Sequence, residues 1–416
     1  MKVIERKVRH IALGVPCFIE ARVGEYRSGC ECQRYFRSSV SGVSPGALYS
    51  DEVRNMTATS LIRDRLPYRR VRERMWEDFG ILVSLGYIHD CFKWAHARIS
   101  TEEHRRWVAD NFSGVMCIDE VHDSGRVILY ATDPLNHFTI HFAVNDTNDQ
   151  AHMDAFLLEI KAMGIEARVV ITDGSPLYKD ALQEVWEGVE HQLCVFHVIK
   201  DVNKLILDGL RSLKNALRRQ GCKGRKRKRG RKRRGAPKIP RFGLKDAASF
   251  LWEHQYLIVS KEESLTEEDR QNLAAMITIS PEIAVLRRFV RDFYRLFEKG
   301  IDKTLARTRR TRMVRSQAYQ DNPFLARALR KIRPEKFEKM ITYMGWQNVD
   351  RTSNHVERNN RSFRMMQKTR YKRRLTRTIC MAIELDLYAR MLRHDLYKPP
   401  LDFRENHAPM PQRMAA

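Results

Sequence analysis

The spacing of apolar residues changes several times along the chain, and each change predicts a different kind of element. Between Val115 and Lys200 the apolar residues gather into short runs. One is Val-Met-Cys-Ile, ending on Asp119, and another is Val-Val-Ile-Thr, ending on Asp173. A short β-branched run bounded by turn residues is what a sheet interior requires. The pattern predicts strands over 115–121, 126–132 and 138–144, a helix over 150–163 and a strand over 167–172. A helix over 176–187, a strand over 191–197 and a further helix follow. Asp123-Ser124-Gly125 is a tight turn that joins the first two strands as a hairpin. Cys117 and Cys194 fall inside predicted strands.

Three strands in series followed by helix, strand, helix and strand predict an α/β fold, an RNase H-like mixed five-stranded sheet. Helical spacing flanks it on both sides. Candidate helices begin at Asp51 and Pro67, turn through Phe79–Ser84 with Gly80 at the corner, and resume over Leu85–His96. Short helices joined by a glycine-bearing turn predict a small helix-turn-helix DNA-binding domain, with a plain structural bundle as the other reading. Residues 242–346 are helical in pattern, as is Thr352–Tyr397, which carries Glu357 near its start. The division that results is 1–45, 46–105 (helix-turn-helix), 106–217 (first part of the RNase H-like domain), 218–241 (basic disordered loop), 242–346 (inserted all-helical domain), 347–400 (final helices) and a tail over 401–416.

Charge narrows the partner. The 416 residues hold 76 Lys and Arg against 51 Asp and Glu, a net charge of +25. Such a surplus favours a polyanion, with nucleic acid the expected one, since aromatic residues and long helical patterns argue against a disordered basic tail. Twelve of the cations lie between Arg218 and Arg234, where no acid occurs. No apolar stretch approaches the roughly 20 residues of a membrane span. Eight scattered cysteines suit a reducing cytosol, so a cytoplasmic protein is expected, nucleoid-associated if prokaryotic. Near the N-terminus, Cys17, Cys30 and Cys32 fall short of the two Cys-x2-Cys knuckles of a zinc ribbon, and His10 is a poorly spaced fourth ligand. Zinc is therefore not expected, and 1–45 reads as a degenerate ribbon remnant.

The chemistry rests on acids. Asp119 and Asp173 stand where two predicted strands leave the apolar layer, and Glu357 stands on a later helix. Three such carboxylates are a ligand set for two hard divalent cations, Mg²⁺ or Mn²⁺. Taken singly, each is more commonly a turn aspartate or a solvated helix glutamate; it is the set that points to chemistry. Glu120 is the rival for the first position, and strand alternation sends it to the opposite face. Arg358, Arg361, Arg364 and Lys368 follow Glu357 as candidate phosphate contacts.

Three segments carry a resemblance to known proteins. Val-Ile-Thr-Asp-Gly-Ser-Pro-Leu-Tyr (170–178), His-Gln-Leu-Cys-Val-Phe-His-Val-Ile-Lys (191–200) and Arg-Thr-Ser-Asn-His-Val-Glu-Arg-Asn-Asn-Arg (351–361) resemble DDE transposases. The nearest type has an N-terminal zinc ribbon and helix-turn-helix, with Mutator and hAT groups more distant. The resemblance implies that Asp119, Asp173 and Glu357 are the catalytic and metal-binding acids. It matches Cys194 and His197 to a Cys-x2-His signature of structural or DNA-orienting role. It also implies a homo-oligomer on double-stranded DNA that binds terminal inverted repeats, cuts 3′ ends and joins them to target DNA. The N-terminus departs from the family's ribbon, as a truncated or decayed copy would. A catalytically inactive, repurposed DNA-binding protein and a nuclease of the same fold without joining activity are the alternatives.

Overall fold

The computed structural model describes residues 2–27, 29, 35–123, 125–178, 180–223, 243–347, 349–368 and 373–394. Cys30, Cys32, most of the basic segment (224–242) and the tail from 395 lie outside them. The chain divides into two compact units. The first comprises Met1–Arg168, Pro176–Glu187 and Asn354–Ala416; the second comprises Val169–Ser175 and Gly188–Ser353.

The first unit opens with β1 (Lys2–Ala12), β2 (Val15–Arg27) and β3 (Tyr35–Arg37), an antiparallel sheet in that order. Its hairpin turns at Leu13 and Gly14, both with positive φ (51° and 79°), the mirror-image turn that matches strand twist. Four helices follow: α1 (Asp51–Ile62), α2 (Tyr68–Phe79), α3 (Leu85–His96) and α4 (Thr101–Asn111). The Ser50 hydroxyl caps α1 by accepting from Val53 N and also meets His10 Nδ1 at 2.9 Å, which ties the sheet to the helix. Gly80, at φ 60°, ends α2 in the left-handed conformation, and Ser84 caps α3. Val53, Leu61, Val71, Met75, Ile88 and Phe92 supply a buried core. The first three helices begin where the sequence predicts.

Next come β4 (Val115–Asp123), β5 (Arg126–Asp133) and β6 (Phe138–Asn145), an antiparallel meander, and α5 (Gln150–Ala162), capped by Asp149. Asp133, fully buried, closes the β5–β6 turn by accepting from the backbone N–H groups of Ser113, Leu135 and Asn136. β7 (Val169–Thr172) opens the second unit, and α6 (Ala181–Val185) belongs to the first. The helix predicted over 176–187 is broken into a single 3-10 turn at Pro176–Tyr178 and short α6. Trp186 is extended there, and its indole donates to the Ile165 carbonyl at 2.7 Å. β8 (Glu190–Leu193) runs parallel to β7. The five-stranded mixed sheet has the order β6-β5-β4-β7-β8.

The rest of the second unit is helical: α7 (Val195–Lys223), α8 (Leu244–Glu253), α9 (Glu267–Ile279), α10 (Pro281–Arg295), α11 (Lys303–Arg315), α12 (Gln317–Gln320), α13 (Pro323–Leu329) and α14 (Pro334–Met340). Ile206, Met276, Leu286, Phe289, Phe293, Ile332 and Phe337 lie in its core. Arg218–Lys223, expected as the start of a loose loop, instead continue α7. The first unit resumes with α15 (Asn354–Lys368) and α16 (Thr376–His394). The single helical pattern predicted over 352–397 is therefore interrupted. The buried Gln367 amide folds back on the next turn, accepting from Arg373 N and donating to its carbonyl.

Candidate active site

β4 is buried from Val115 through Ile118 and becomes half-buried at Asp119 and Glu120, where the carboxylates begin. Glu120 accepts from Asn148 Nδ2 at 3.1 Å and from the Tyr178 hydroxyl at 3.3 Å, so it braces neighbouring segments. Asp119 accepts a 2.7 Å hydrogen bond from Asn360 Nδ2. A carboxylate can only accept here, so the amide must present its N–H₂.

Asn360 lies on α15. That helix buries Val356, Asn359, Asn360, Phe363, Met366 and Gln367 in one stripe. Glu357 is half-buried in its first turn, one turn before Asn360 and on the same side. The N-terminal end of a helix favours a negative charge. Further bonds fix α15 in place. Arg390 on α16 donates to Asn359 Oδ1 (3.1 Å) and Ser362 Oγ (2.8 Å), and Arg65 donates to Ser362 Oγ at 3.0 Å. The helix of Glu357 is thus seated against the strand of Asp119. Arg358, Arg361, Arg364 and Lys368 are all exposed. Their spacing sets them along the solvent side of α15.

His355, two residues before Glu357, lies beside His137 with ring centroids 5.4 Å apart and the rings tilted by 33°. Burial, with Arg358 nearby, lowers its pKa to about 4. It is neutral at physiological pH.

The second unit holds Asp173 directly after β7. Its Oδ1 accepts from Ser175 N at 2.8 Å. Gly174 has φ +88°, and a Cβ there would stand 3.1 Å from Leu193 Cδ2. Cys194 is not inside a strand, as the apolar run predicts, but at the junction of β8 and α7, with His197 in the first turn of the helix. The Cys194 N–H donates to the Thr172 carbonyl at 2.7 Å and Val195 N to the Arg351 carbonyl at 2.9 Å. The first is the last bond of the parallel β7–β8 ladder, and the second belongs to the residue at which α7 begins. Ser353 N donates to the Cys194 sulfur at 3.3 Å. Burial pushes the Cys194 thiol up, but hydrogen bonds with His197 and Ser353 outweigh it and hold the pKa below the usual thiol value. Cys194, His197 and Ser353 thus knot the start of α7 to the segment that leads towards α15.

Cys17 pairs with His10 across the β1–β2 register, while the His10 ring is engaged by Ser50. Among the described residues no group of three or more His, Cys, Asp or Glu side chains is arranged to hold a metal ion. The donors available near α15 are carboxylate oxygens, which suit a hard divalent cation better than a thiophilic one. Asn360 is the residue that sequence reasoning missed. The signal was present, a pair of asparagines on the apolar stripe one turn after Glu357.

A family model described as transposase matches residues 116–371, more than half of the chain. No curated protein matches the chain. Among the described residues no helix is long and apolar enough to cross a membrane.

Proposed function

Since the chain belongs to this family of DDE transposases, we propose that it binds the terminal inverted repeats of a mobile element, cleaves the 3′ ends and joins them to target DNA. The observation that carries the reading is the Asn360–Asp119 hydrogen bond, which seats the helix of Glu357 on the strand of Asp119. We assign Asp119 and Glu357 as catalytic carboxylates and Asp173 as the third acid on its sequence pattern. These oxygens would hold two divalent cations, Mg²⁺ or Mn²⁺. Bound cations of this kind activate a water or a 3′-hydroxyl and stabilise the leaving oxygen of an in-line displacement. The carboxylates orient the attacking oxygen, and Arg358, Arg361, Arg364 and Lys368 hold phosphates without reading sequence. α1–α3 supply the helix-turn-helix for the terminal repeats, and the protein acts as a homo-oligomer on DNA. Hydrolysis and joining share one site because both are in-line attacks on a phosphodiester.

The test is strand transfer by the purified protein on DNA carrying the ends of its own element, with Mg²⁺ or Mn²⁺. Joined product that disappears in Asp119→Asn and Glu357→Gln, with DNA binding retained, is the expected result. Binding without cleavage in either metal would instead identify a non-catalytic DNA-binding protein.

A further inference from the structure

The helical second unit contains an open groove of about 630 Å³. Its charged lining is unequal. Lys261, Arg291, Arg295, Lys299 and Arg351 line it together with Arg287 and three glutamates. Two of those glutamates are already matched. Glu262 is bound by Arg287 at 2.9 Å, and Glu298 by Arg309 at 2.8 Å. Arg287 is itself nearly buried, donating to the carbonyls of Leu257, Ile258 and Ser260, and so fixes one wall. Five cations then face Glu263 as the remaining acid.

Two of the groove's cations, Lys261 and Arg351, are held in place. Arg291 and Arg295 are one turn apart on α10, about 6 Å between Cβ atoms, and both are exposed. The Tyr294 ring between them is pinned, its hydroxyl donating to the Val259 carbonyl and accepting from Asn203 Nδ2, each at 3.2 Å. Lys261 Nζ sits 5.9 Å from that ring's centroid, so the aromatic face orients the ammonium. Arg351 is anchored by donation to the Phe297 carbonyl. A concave row of cations, with Lys261 and Arg351 held and Arg291, Arg295 and Lys299 exposed beside a fixed aromatic wall, has the chemistry of a phosphate track.

We propose that this groove binds the phosphate backbone of DNA, with Arg291, Arg295 and Lys299 as direct phosphate contacts. The proposal rests on the DNA-binding reading above and extends it to a second, sequence-independent contact surface in the helical unit. The residues assigned to cleavage lie outside it.

The experiment is binding of the full chain to a random-sequence 30-base-pair duplex and to a 30-nucleotide single strand, followed by fluorescence anisotropy across salt concentrations. Each phosphate contact contributes about 0.9 to the slope of log K against log salt on duplex DNA and about 0.7 on a single strand. Arg291→Ala/Arg295→Ala/Lys299→Ala is expected to lower the duplex slope by about 2.7. A fall of about 2.1 on the single strand alone makes the bound strand unpaired. Equal slopes for wild type and variant on both probes overturn the proposal. Should the triple variant melt early, Glu263→Gln keeps it testable: it removes the opposing charge and should tighten binding, and unchanged or weaker binding overturns the groove. A wild-type protein with no affinity for either probe overturns the underlying DNA-binding reading, and the groove with it.

Discussion

Replacing Asn360 tests whether the seating of α15 on β4 matters to function. Asn360 is 3% exposed, and its Nδ2 stands 2.7 Å from Asp119 Oδ2. A hydrogen bond to a charged group contributes about 1.5–3 kcal/mol, which is roughly a 10- to 150-fold effect when it orients a carboxylate that, under the proposed function, binds a cation. Groups that orient metal ligands in this way commonly change affinity or activity by about 10- to 100-fold when removed. Asn360→Ala should therefore raise the Mg²⁺ concentration for half-maximal strand transfer by at least about tenfold, with part of the rate recovered at saturating metal. Asn360→Asp should do worse, because it sets a second carboxylate against Asp119, and like charges about 4 Å apart cost about 4 kcal/mol at an effective dielectric of 20. The assay is strand transfer titrated with Mg²⁺, paired with thermal melts with and without the ion. A merely structural residue predicts lower melting temperatures and an unchanged Mg²⁺ midpoint. That outcome in Asn360→Ala, or an Asp variant as active as wild type, would refute the reasoning.

Two further expectations concern stability. Gly174→Ala forces a side chain into a φ of +88° and towards Leu193 Cδ2; a loss of about 1–3 kcal/mol in urea unfolding is expected, and unchanged stability would show that the turn relaxes freely. Burial pushes His104 down to about 4, and burial with Lys339 nearby pushes His191 to about 3. The unfolded chain takes up protons on these rings below its ordinary pKa near 6.5 while the folded chain does not, so stability present at pH 7 is lost as pH falls towards 4. Each ring contributes about 2 kcal/mol of that loss by pH 5. His104→Gln should shrink the difference between unfolding at pH 7 and pH 5, and an unchanged difference would remove His104 from the account.

What could be read from the sequence depended on whether a local pattern or a distant contact decides the structure. β4 and β7 were legible because an unbroken apolar run has few other places to go, and α1–α3 because caps and a glycine corner mark their ends. The β8–α7 boundary was not. His-Gln-Leu-Cys-Val-Phe-His is apolar enough for either element, and where the ladder stops is marked by its last bond, to Thr172, and by the bond from Val195 to Arg351, which no local window contains. The N-terminal sheet was hidden for a different reason. β1 alternates charged and apolar residues with only Val8 and Ile11 buried, so its apolar content is too low to mark a strand. Asp119 and Glu357 were found as acids near element ends, which is a property of single residues. The relation between them was not found, because it runs through an uncharged side chain. A polar residue placed on the buried stripe of an amphipathic helix has to satisfy its hydrogen bonds inside the fold or bear the cost of leaving them unmade. Asn360 meets that requirement in part: its Nδ2 reaches Asp119, while its Oδ1 has no partner among the described residues. A buried asparagine one turn from a candidate acid therefore predicts which carboxylate that helix is built to meet.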